Sequence, residues 1–176
     1  MKEDIIATQA FIDTMVGISK FSYPANQNGP RPDNEFATVK LLEEYQVGLP
    51  VHKILNDSDP DFTEYQVQHL ARLRLRIGIK DTNGVASTKI HNGWTREDIK
   101  SLMMETGYGF IGCEPIGIED AKLEKVWEPR QGLALELYVT RTYIYSIDNI
   151  TSMVINGEFY TYDVDALLIH IEINNN

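Results

Sequence analysis

The most regular pattern in the chain is an alternation of apolar and polar residues between Tyr65 and Ile79. The odd positions are apolar except for His69, and the even positions include two glutamines and three arginines. Successive side chains of a β-strand point to opposite faces of a sheet. This period of two therefore predicts one long strand that has a buried face and a basic face.

A second long strand is predicted from Gln131 to Ser146, and a shorter one from Phe36 to Val47. The first of these has apolar residues on one side, namely Leu133, Leu135, Leu137, Val139, Tyr143 and Tyr145. The other has Ala37, Val39 and Leu41 on one face. Both strands are thus expected to lie with one face on a core.

Two shorter segments and one turn are also predicted to be part of β-structure. Phe110 to Ile118 is predicted to be a strand, and so is Ala166 to Ile173 close to the end of the chain. Asn156-Gly157 lies between two β-rich runs, and this dipeptide favours a tight hairpin turn. Because a β-rich segment near a chain end is able to extend a neighbouring sheet, residues 166–173 are expected to add a strand to another subunit.

Two segments have helical spacing. From Asp4 to Ile18 the apolar positions recur at three- and four-residue steps, which predicts an amphipathic helix that ends near Gly17 to Lys20. Thr95 followed by Asp98 resembles a capping box that opens a helix from Arg96 to about Thr106. The intervening residues 81–94 are predicted to be loop. The order of elements predicts an α+β fold, with a mainly antiparallel sheet and two helices packed on one face.

Composition places the chain among ordinary globular proteins. Its 176 residues are 43% hydrophobic and 24% charged, which suits a single domain with a substantial core. The acidic and polar residues in the N-terminal pattern argue against a signal peptide, and no apolar run approaches the roughly 20 residues of a membrane span. The single Cys113 excludes an internal disulfide.

Motifs for chemistry are absent from the sequence. The four histidines are dispersed, no phosphate-binding loop is present, and Cys113 lies in no nucleophile signature. Asp57, Asp59 and Asp61 alternate as calcium ligands do, but Phe62 and Gln68 replace the glycine and the closing glutamate of such a loop. We therefore expect no catalytic residue, no cofactor and no bound metal.

The arginine row of the long strand, Arg72, Arg74 and Arg76, has three possible explanations. Its spacing of about 7 Å suits phosphates of a single-stranded nucleic acid, although the net charge of −10 opposes such binding. A second explanation is that the row pairs with acids on a neighbouring strand, for example Glu136. A third possibility is an acidic patch on another subunit, since arginine forks suit carboxylates.

Two other features are candidates for contacts. Pro30 and Pro32 stiffen the segment PANQNGPRPDNEFATVKLL, which begins at Pro24, and a stiff loop loses little entropy on docking. Aromatic residues cluster late in the chain, at Tyr143, Tyr145, Phe159, Tyr160 and Tyr162. Most of them are expected to form cross-strand pairs, and some to anchor an interface.

These pieces together resemble a known family, the phage neck (tail) terminator proteins. The segment from Pro24 to Leu42 is similar to the family's Asn-Gln-Asn-x-Pro-Arg-Pro stretch, which an aromatic residue and Ala-Thr follow. GIEDAKLEKVWEPRQGLALELYVTRTYIYSIDNI is similar to its aromatic-Glu-x-Arg link and leucine-rich strand. The resemblance covers about Ile5 to Ile155, and Asn26 to Thr38 and Trp127 to Tyr138 are its most specific parts.

The resemblance implies a non-enzymatic virion protein of a tailed phage. It implies a mixed, mainly antiparallel, tail-terminator-like sheet and a ring, a homohexamer, that caps the tail tube and joins it to head-completion (connector) proteins. The partners would be copies of the chain, the tail tube protein and a sheath protein, with DNA passing through the lumen without specific binding and no membrane contact. Assembly in the host cytoplasm and a place in the virion neck follow from the same likeness.

Interface candidates come from the motifs and from the exposed positions of the predicted strands. They are Asn26, Asn28, Arg31, Arg72, Arg74, Arg76, Trp127, Arg130, Tyr160, Ile169 and Ile171. Residues 1–155 are expected to form the terminator domain, and residues 156–176 a C-terminal extension that contributes to an interface. A nucleic-acid- or ligand-binding module that uses the arginine row remains the alternative function.

Overall fold

The computed structural model describes residues 2–25, 32–56, 62–118, 121–123, 126–128, 130–148, 152–154 and 172–174. The helices are α1 (Lys2–Val16), α2 (Val85–Gly93) and α3 (Glu97–Glu105). The strands in the described part are β1 (Ser22–Pro24), β2 (Phe36–Asn56), β3 (Phe62–Lys80), β4 (Tyr108–Ile118), β5 (Ala121–Leu123), β6 (Val126–Glu128), β7 (Gln131–Asp148), β8 (Ser152–Val154) and β9 (Glu172–Asn174).

Five strands form a mixed, mostly antiparallel sheet in the order β1-β2-β3-β7-β4. The edge strand β1 runs parallel to β2, whereas β4 runs antiparallel to β7 with Tyr108 opposite Val139. Two small antiparallel pairs, β5 with β6 and β8 with β9, complete the described strands. The predicted α+β fold is confirmed.

The chain divides into two compact units. The first comprises Met1–Leu49 and His69–Arg141, and the second comprises Pro50–Gln68 and Thr142–Asn176. The strands β2, β3 and β7 contribute residues to both units. In the second unit, Met153 of β8 lies opposite Ile173 of β9, so the final residue of the predicted segment 166–173 pairs within its own chain. The rest of that segment, and the Asn156-Gly157 turn, lie outside the described residues.

The core of the first unit lies between the helices and one face of the sheet. The five odd positions of β3 from Ala71 to Ile79 are fully buried, as are Leu135 and Leu137 of β7. They form one cluster with apolar residues of all three helices, among which Phe11 and Ile90 are inaccessible to solvent. The alternation read from the sequence is thus confirmed in this unit, and the even positions of β3 lie on the opposite face.

One predicted loop is a helix. Residues 81–94 were expected to lack regular structure, but α2 occupies Val85–Gly93 and buries Ala86 and Ile90. The buried carboxylate of Asp81 organises its start by accepting hydrogen bonds from the backbone N–H of Asn83 and Ser87, at 3.1 and 2.9 Å. Burial raises the pKa of Asp81, but these backbone donors outweigh it and lower the pKa.

The start of the next helix also differs from the prediction. Arg96 occupies the N-cap position of α3 without a side-chain cap, and the Thr95 hydroxyl donates instead to the carbonyl of Asn92 at 3.4 Å. Asp98 accepts two hydrogen bonds from Arg96 rather than closing a capping box. The helix ends at Glu105, one residue before the predicted Thr106, and Gly107 just beyond it has a left-handed φ of 78°.

A buried charge network fixes the first turn of α1 to the sheet. Nη2 of Arg141 lies 2.9 Å from both carboxylate oxygens of Asp4, and the hydroxyl of Tyr108 donates to the same carboxylate at 2.9 Å. Nε of Arg141 in turn donates to Glu44 at 2.7 Å. Burial raises the pKa of Asp4, but the hydrogen bonds from Arg141 and Tyr108 outweigh it and lower the pKa to about 2.

The substitution Asp4→Asn tests this network. We expect it to lower the free energy of unfolding at pH 6 by about 3 kcal/mol, because it leaves the guanidinium of Arg141 with one carboxylate fewer in a buried site. The folded-state pKa of Asp4 is depressed, so its stabilisation is present above the ordinary value of 3.8 and is lost as the pH falls through about 2.

The difference between wild type and Asp4→Asn should accordingly shrink by about 1 kcal/mol between pH 6 and pH 3, measured by urea unfolding. Glu105→Gln, which removes an exposed carboxylate at the end of α3, is the control and should track the wild type. If the difference in the free energy of unfolding stays constant over this pH range, the network does not lower the pKa of Asp4.

Candidate interface surfaces

The face of the first unit's sheet that lies opposite the helices carries the arginine row. We call it the arginine face and define it by Arg72, Arg74 and Arg76 of β3 with the side chains that surround them. These surrounding residues are Lys40, Glu43 and Tyr45 of β2, Gly112 and Glu114 of β4, and Ala134 and Glu136 of β7. None of the described helices covers this face, because α1, α2 and α3 all pack into the core cluster.

Arg72 is closely paired within the arginine face. Its Nη2 forms an ion pair with Oε2 of Glu136 on the adjacent strand, and its guanidinium lies 5.6 Å from the ring centroid of Tyr45. The hydrogen bond to Glu136 raises the pKa of Arg72 further above its already high value. The predicted pairing of the arginine row with Glu136 is therefore confirmed for Arg72.

Arg74 is held more loosely. Its Nη1 lies 4.0 Å from Oε2 of Glu43, and the side chain of Arg74 remains 48% exposed. Arg76 is exposed as well. An exposed pair at such a distance contributes little to stability, so the guanidinium of Arg74 keeps much of its capacity to bind an outside partner.

A shallow depression of about 260 Å³ lies on the arginine face. It is lined by Arg72, Arg74, Gly112, Glu114, Ala134 and Glu136. Gly112 and Ala134 carry little or no side chain, and a Cβ added at Gly112 would meet nothing within 4 Å. The depression thus combines open space with charges of both signs, which suits the docking of a protruding side chain.

Metal ligation and thiol reactivity depend on how the described side chains are grouped and buried. Among them, no group of three or more His, Cys, Asp or Glu side chains is placed to hold a metal ion. Burial raises the pKa of Cys113 to about 11, so this residue is a thiol at neutral pH and a poor nucleophile. The described helices include none that is long and apolar enough to cross a membrane.

The second unit exposes apolar side chains on two of its strands. These are Val51, Ile54 and Leu55 of β2 and Tyr143, Ile144, Tyr145 and Ile147 of β7. Tyr145 also stacks on Tyr65 of β3, with ring centroids 5.5 Å apart, which confirms a cross-strand aromatic pair for that residue. The strands β2 and β7 are not adjacent, because β3 lies between them in the sheet. Clusters of exposed apolar groups are typical of surfaces that another protein covers.

The structure brings together only part of the predicted interface set. Arg72, Arg74 and Arg76 share one face. Arg130 is half-buried, and Trp127 lies in β6 opposite Lys122, where only the backbone is described. The remaining candidates, Asn26, Asn28, Arg31, Tyr160, Ile169 and Ile171, lie outside the described residues, as do Phe159 and Tyr162. Their role in an interface stays a prediction.

Glu43 and Tyr45 are members of the arginine face that the sequence pattern did not indicate. Leu41 packs against the core, whereas Glu43 and Tyr45, two and four residues further on, contact arginines of the opposite face. The alternation of β2 therefore shifts by one residue between Leu41 and Glu43, as it does at a β-bulge. The only signal in the sequence is the loss of apolar alternation after Leu41.

The two ion pairs of the arginine face are expected to differ in strength. Glu136→Gln should lower the melting temperature more than Glu43→Gln, because the Arg72–Glu136 pair is in direct contact and the Arg74–Glu43 pair is not. Thermal unfolding at low and at high salt measures this, and the difference should shrink at high salt. If the two substitutions lower the melting temperature equally, the Arg72–Glu136 pair is no stronger than the Arg74–Glu43 pair.

Comparison with known proteins covers most of the chain. The model of a protein family, described as Phage neck terminator protein, matches residues 5–163. No curated protein matches the sequence. The family match covers both segments that carried the sequence resemblance, and the structure adds the α+β fold with a sheet face that no described helix covers. The chain belongs to the phage neck terminator family.

Proposed function

We propose that this protein is a tail terminator that assembles as a ring, a homohexamer, at the neck of a tailed phage. The ring closes the tail tube and joins it to the head-completion (connector) proteins. The observation that carries the proposal is the family match over residues 5–163, which makes the chain a structural protein of the phage neck. A structural neck protein points to a role without catalysis.

The geometry supports an assembly role in two ways. The first unit has a sheet face that no described helix covers, and on it Arg74 and Arg76 are exposed. The second unit exposes apolar side chains, including Val51, Ile54 and Ile144. A ring needs two unlike and complementary surfaces on every copy, because each copy contacts its two neighbours differently.

The partners above and below the ring follow from its place in the particle. We propose contacts with the tail tube protein and, in a contractile tail, with a sheath protein on one side, and with a connector protein on the other. DNA passes through the lumen without specific binding, since a chain of net charge −10 repels a polyanion on average. Residues 156–176 are proposed as an extension that contributes to these contacts, and assembly takes place in the host cytoplasm before the ring is built into the virion neck.

The purified protein tests the ring. We expect native mass spectrometry to give six times the subunit mass of 20.1 kDa, and negative-stain images to show closed rings. Antibody labelling of virions should mark the junction of head and tail, and a phage that lacks the gene should yield separate heads and tails. A protein that stays monomeric at its highest attainable concentration and is absent from the neck would overturn the proposal.

A further inference from the structure

One leucine of β2 projects almost entirely into solvent. Leu49 is 92% exposed, which makes it the most exposed large apolar side chain in the described part of the chain. It lies between Gly48, whose φ is 73°, and Pro50. A Cβ added at Gly48 would meet nothing within 4 Å, so this part of the strand stands clear of neighbouring side chains. We call Gly48, Leu49 and Pro50 the Leu49 knob.

The backbone of the Leu49 knob is fixed although its side chain contributes nothing to the core. The amide Nε2 of Gln46 donates a hydrogen bond to the carbonyl of Gly48 at 2.9 Å. Glycine adopts the left-handed φ of position 48 without steric cost, and Pro50 restricts Leu49 to extended geometry. An apolar projection that is already held in place loses little entropy when a partner covers it.

A groove of about 530 Å³ lies in the first unit where α1 ends. We call it the α1 groove. It has an apolar part, formed by Ile18, Phe21, Tyr23 and Pro32, and a polar part, formed by Ser19, Lys20, Asn34 and Glu35. Phe21 is buried and Ile18 is exposed, so the apolar lining extends from the core to the surface. An apolar centre with polar surroundings is the arrangement found in stable interfaces.

Hydrogen bonds hold both sides of the α1 groove. The carboxylate of Asp13 accepts hydrogen bonds from the backbone N–H groups of Lys20 and Ser22, at 2.8 and 2.9 Å, and so fixes the turn after α1. On the other side, Oε1 of Glu35 accepts hydrogen bonds from the backbone N–H and the hydroxyl of Thr82, at 3.1 and 2.6 Å. The groove is therefore formed before any partner docks, which lowers the entropic cost of binding.

Resting on the proposed ring, we infer that the Leu49 knob of each copy inserts into the α1 groove of the adjacent copy. Glu35 in the groove and Leu49 are fourteen residues apart, which corresponds to about 45 Å of extended strand. A copy cannot fill its own groove over that distance, so the contact is head-to-tail. An apolar projection that fits a pocket elsewhere on the same molecule gives a closed ring when the rotation between copies closes.

The chemistry of the α1 groove favours a second copy as its occupant. Lys20 and Glu35 offset each other in charge, so the groove does not attract the phosphates of DNA. Its volume lies within the range of about 300–1,000 Å³ that is typical of binding pockets, and it admits a leucine with its flanking residues. Leu49 has nearly all of its apolar area still to bury, and burial of that area is favourable. Each copy supplies one knob and one groove, as every member of a ring must.

Two substitutions test the contact from its two sides. Leu49→Asp removes the apolar knob, and Ser19→Trp fills the α1 groove from its polar part. Both positions are exposed, so we expect both variants to remain folded by circular dichroism. Each should lose the ring in native mass spectrometry and negative-stain images at a concentration at which the wild type is fully assembled. Leu49→Met, which keeps an apolar side chain of similar volume, should retain the ring.

Two matched controls lie on α3. Met104 is 79% exposed, and Met104→Asp makes the same change of charge as Leu49→Asp at another exposed apolar position. Ser101→Trp adds the same bulk as Ser19→Trp at another exposed serine. Both controls should keep the ring. Loss of the ring in the controls as well would show that the knob and the groove are not specifically required, and the inference would be wrong.

A pair of cysteines identifies the occupant of the groove. Leu49→Cys with Ser19→Cys, in a Cys113→Ala background, should give a ladder of cross-linked species of up to six subunits after mild oxidation, on non-reducing gels. A disulfide joins residues whose Cα atoms are no more than about 7 Å apart, so the bond does not form within one chain. Either cysteine substitution alone should give no species above the dimer.

The outcomes separate this inference from the proposed function. If rings survive Leu49→Asp, or if the double-cysteine variant gives no species above the dimer, the inference is wrong and the ring still stands. Wild type that forms no ring would overturn both. If Leu49→Asp keeps the ring but no longer joins tails to heads, the Leu49 knob binds another neck protein, and the inference is wrong.

Discussion

The structure depends on the one-sided burial of β3. The odd positions from Ala71 to Ile79 fill the core beneath the helices, and this leaves Arg72, Arg74 and Arg76 on the opposite face. A slip of one residue in the strand would exchange the two sets and bring three guanidinium groups into an apolar layer, at a cost that no local rearrangement offsets. The position of the arginine face is thus fixed by the same burial that stabilises the fold.

The network of Asp4, Arg141, Tyr108 and Glu44 has a different role from the core. A buried ion pair gains little over well-packed apolar residues, but breaking one partner leaves an uncompensated charge. The network joins the first turn of α1 to β7, β4 and β2, so alternative placements of α1 on the sheet are penalised. Apolar packing holds the helices against one face of the sheet. The network determines the position on that face at which α1 begins.

The sequence predicted the features that are encoded locally and missed those that depend on distant partners. The period-two strands β3 and β7 were predicted because alternation is visible within each segment. The helix α2 was missed for two reasons. Its start depends on the buried carboxylate of Asp81, and its few apolar residues do not form a clear helical pattern until the core that they pack against is known. The strand β2 extends nine residues past the predicted Val47, through Gly48 with its positive φ and Pro50, where no alternation remains. On the arginine face, the Arg72–Glu136 pair followed from the polar sides of the two long strands, whereas Glu43 and Tyr45 required the shift in β2 that only the structure shows.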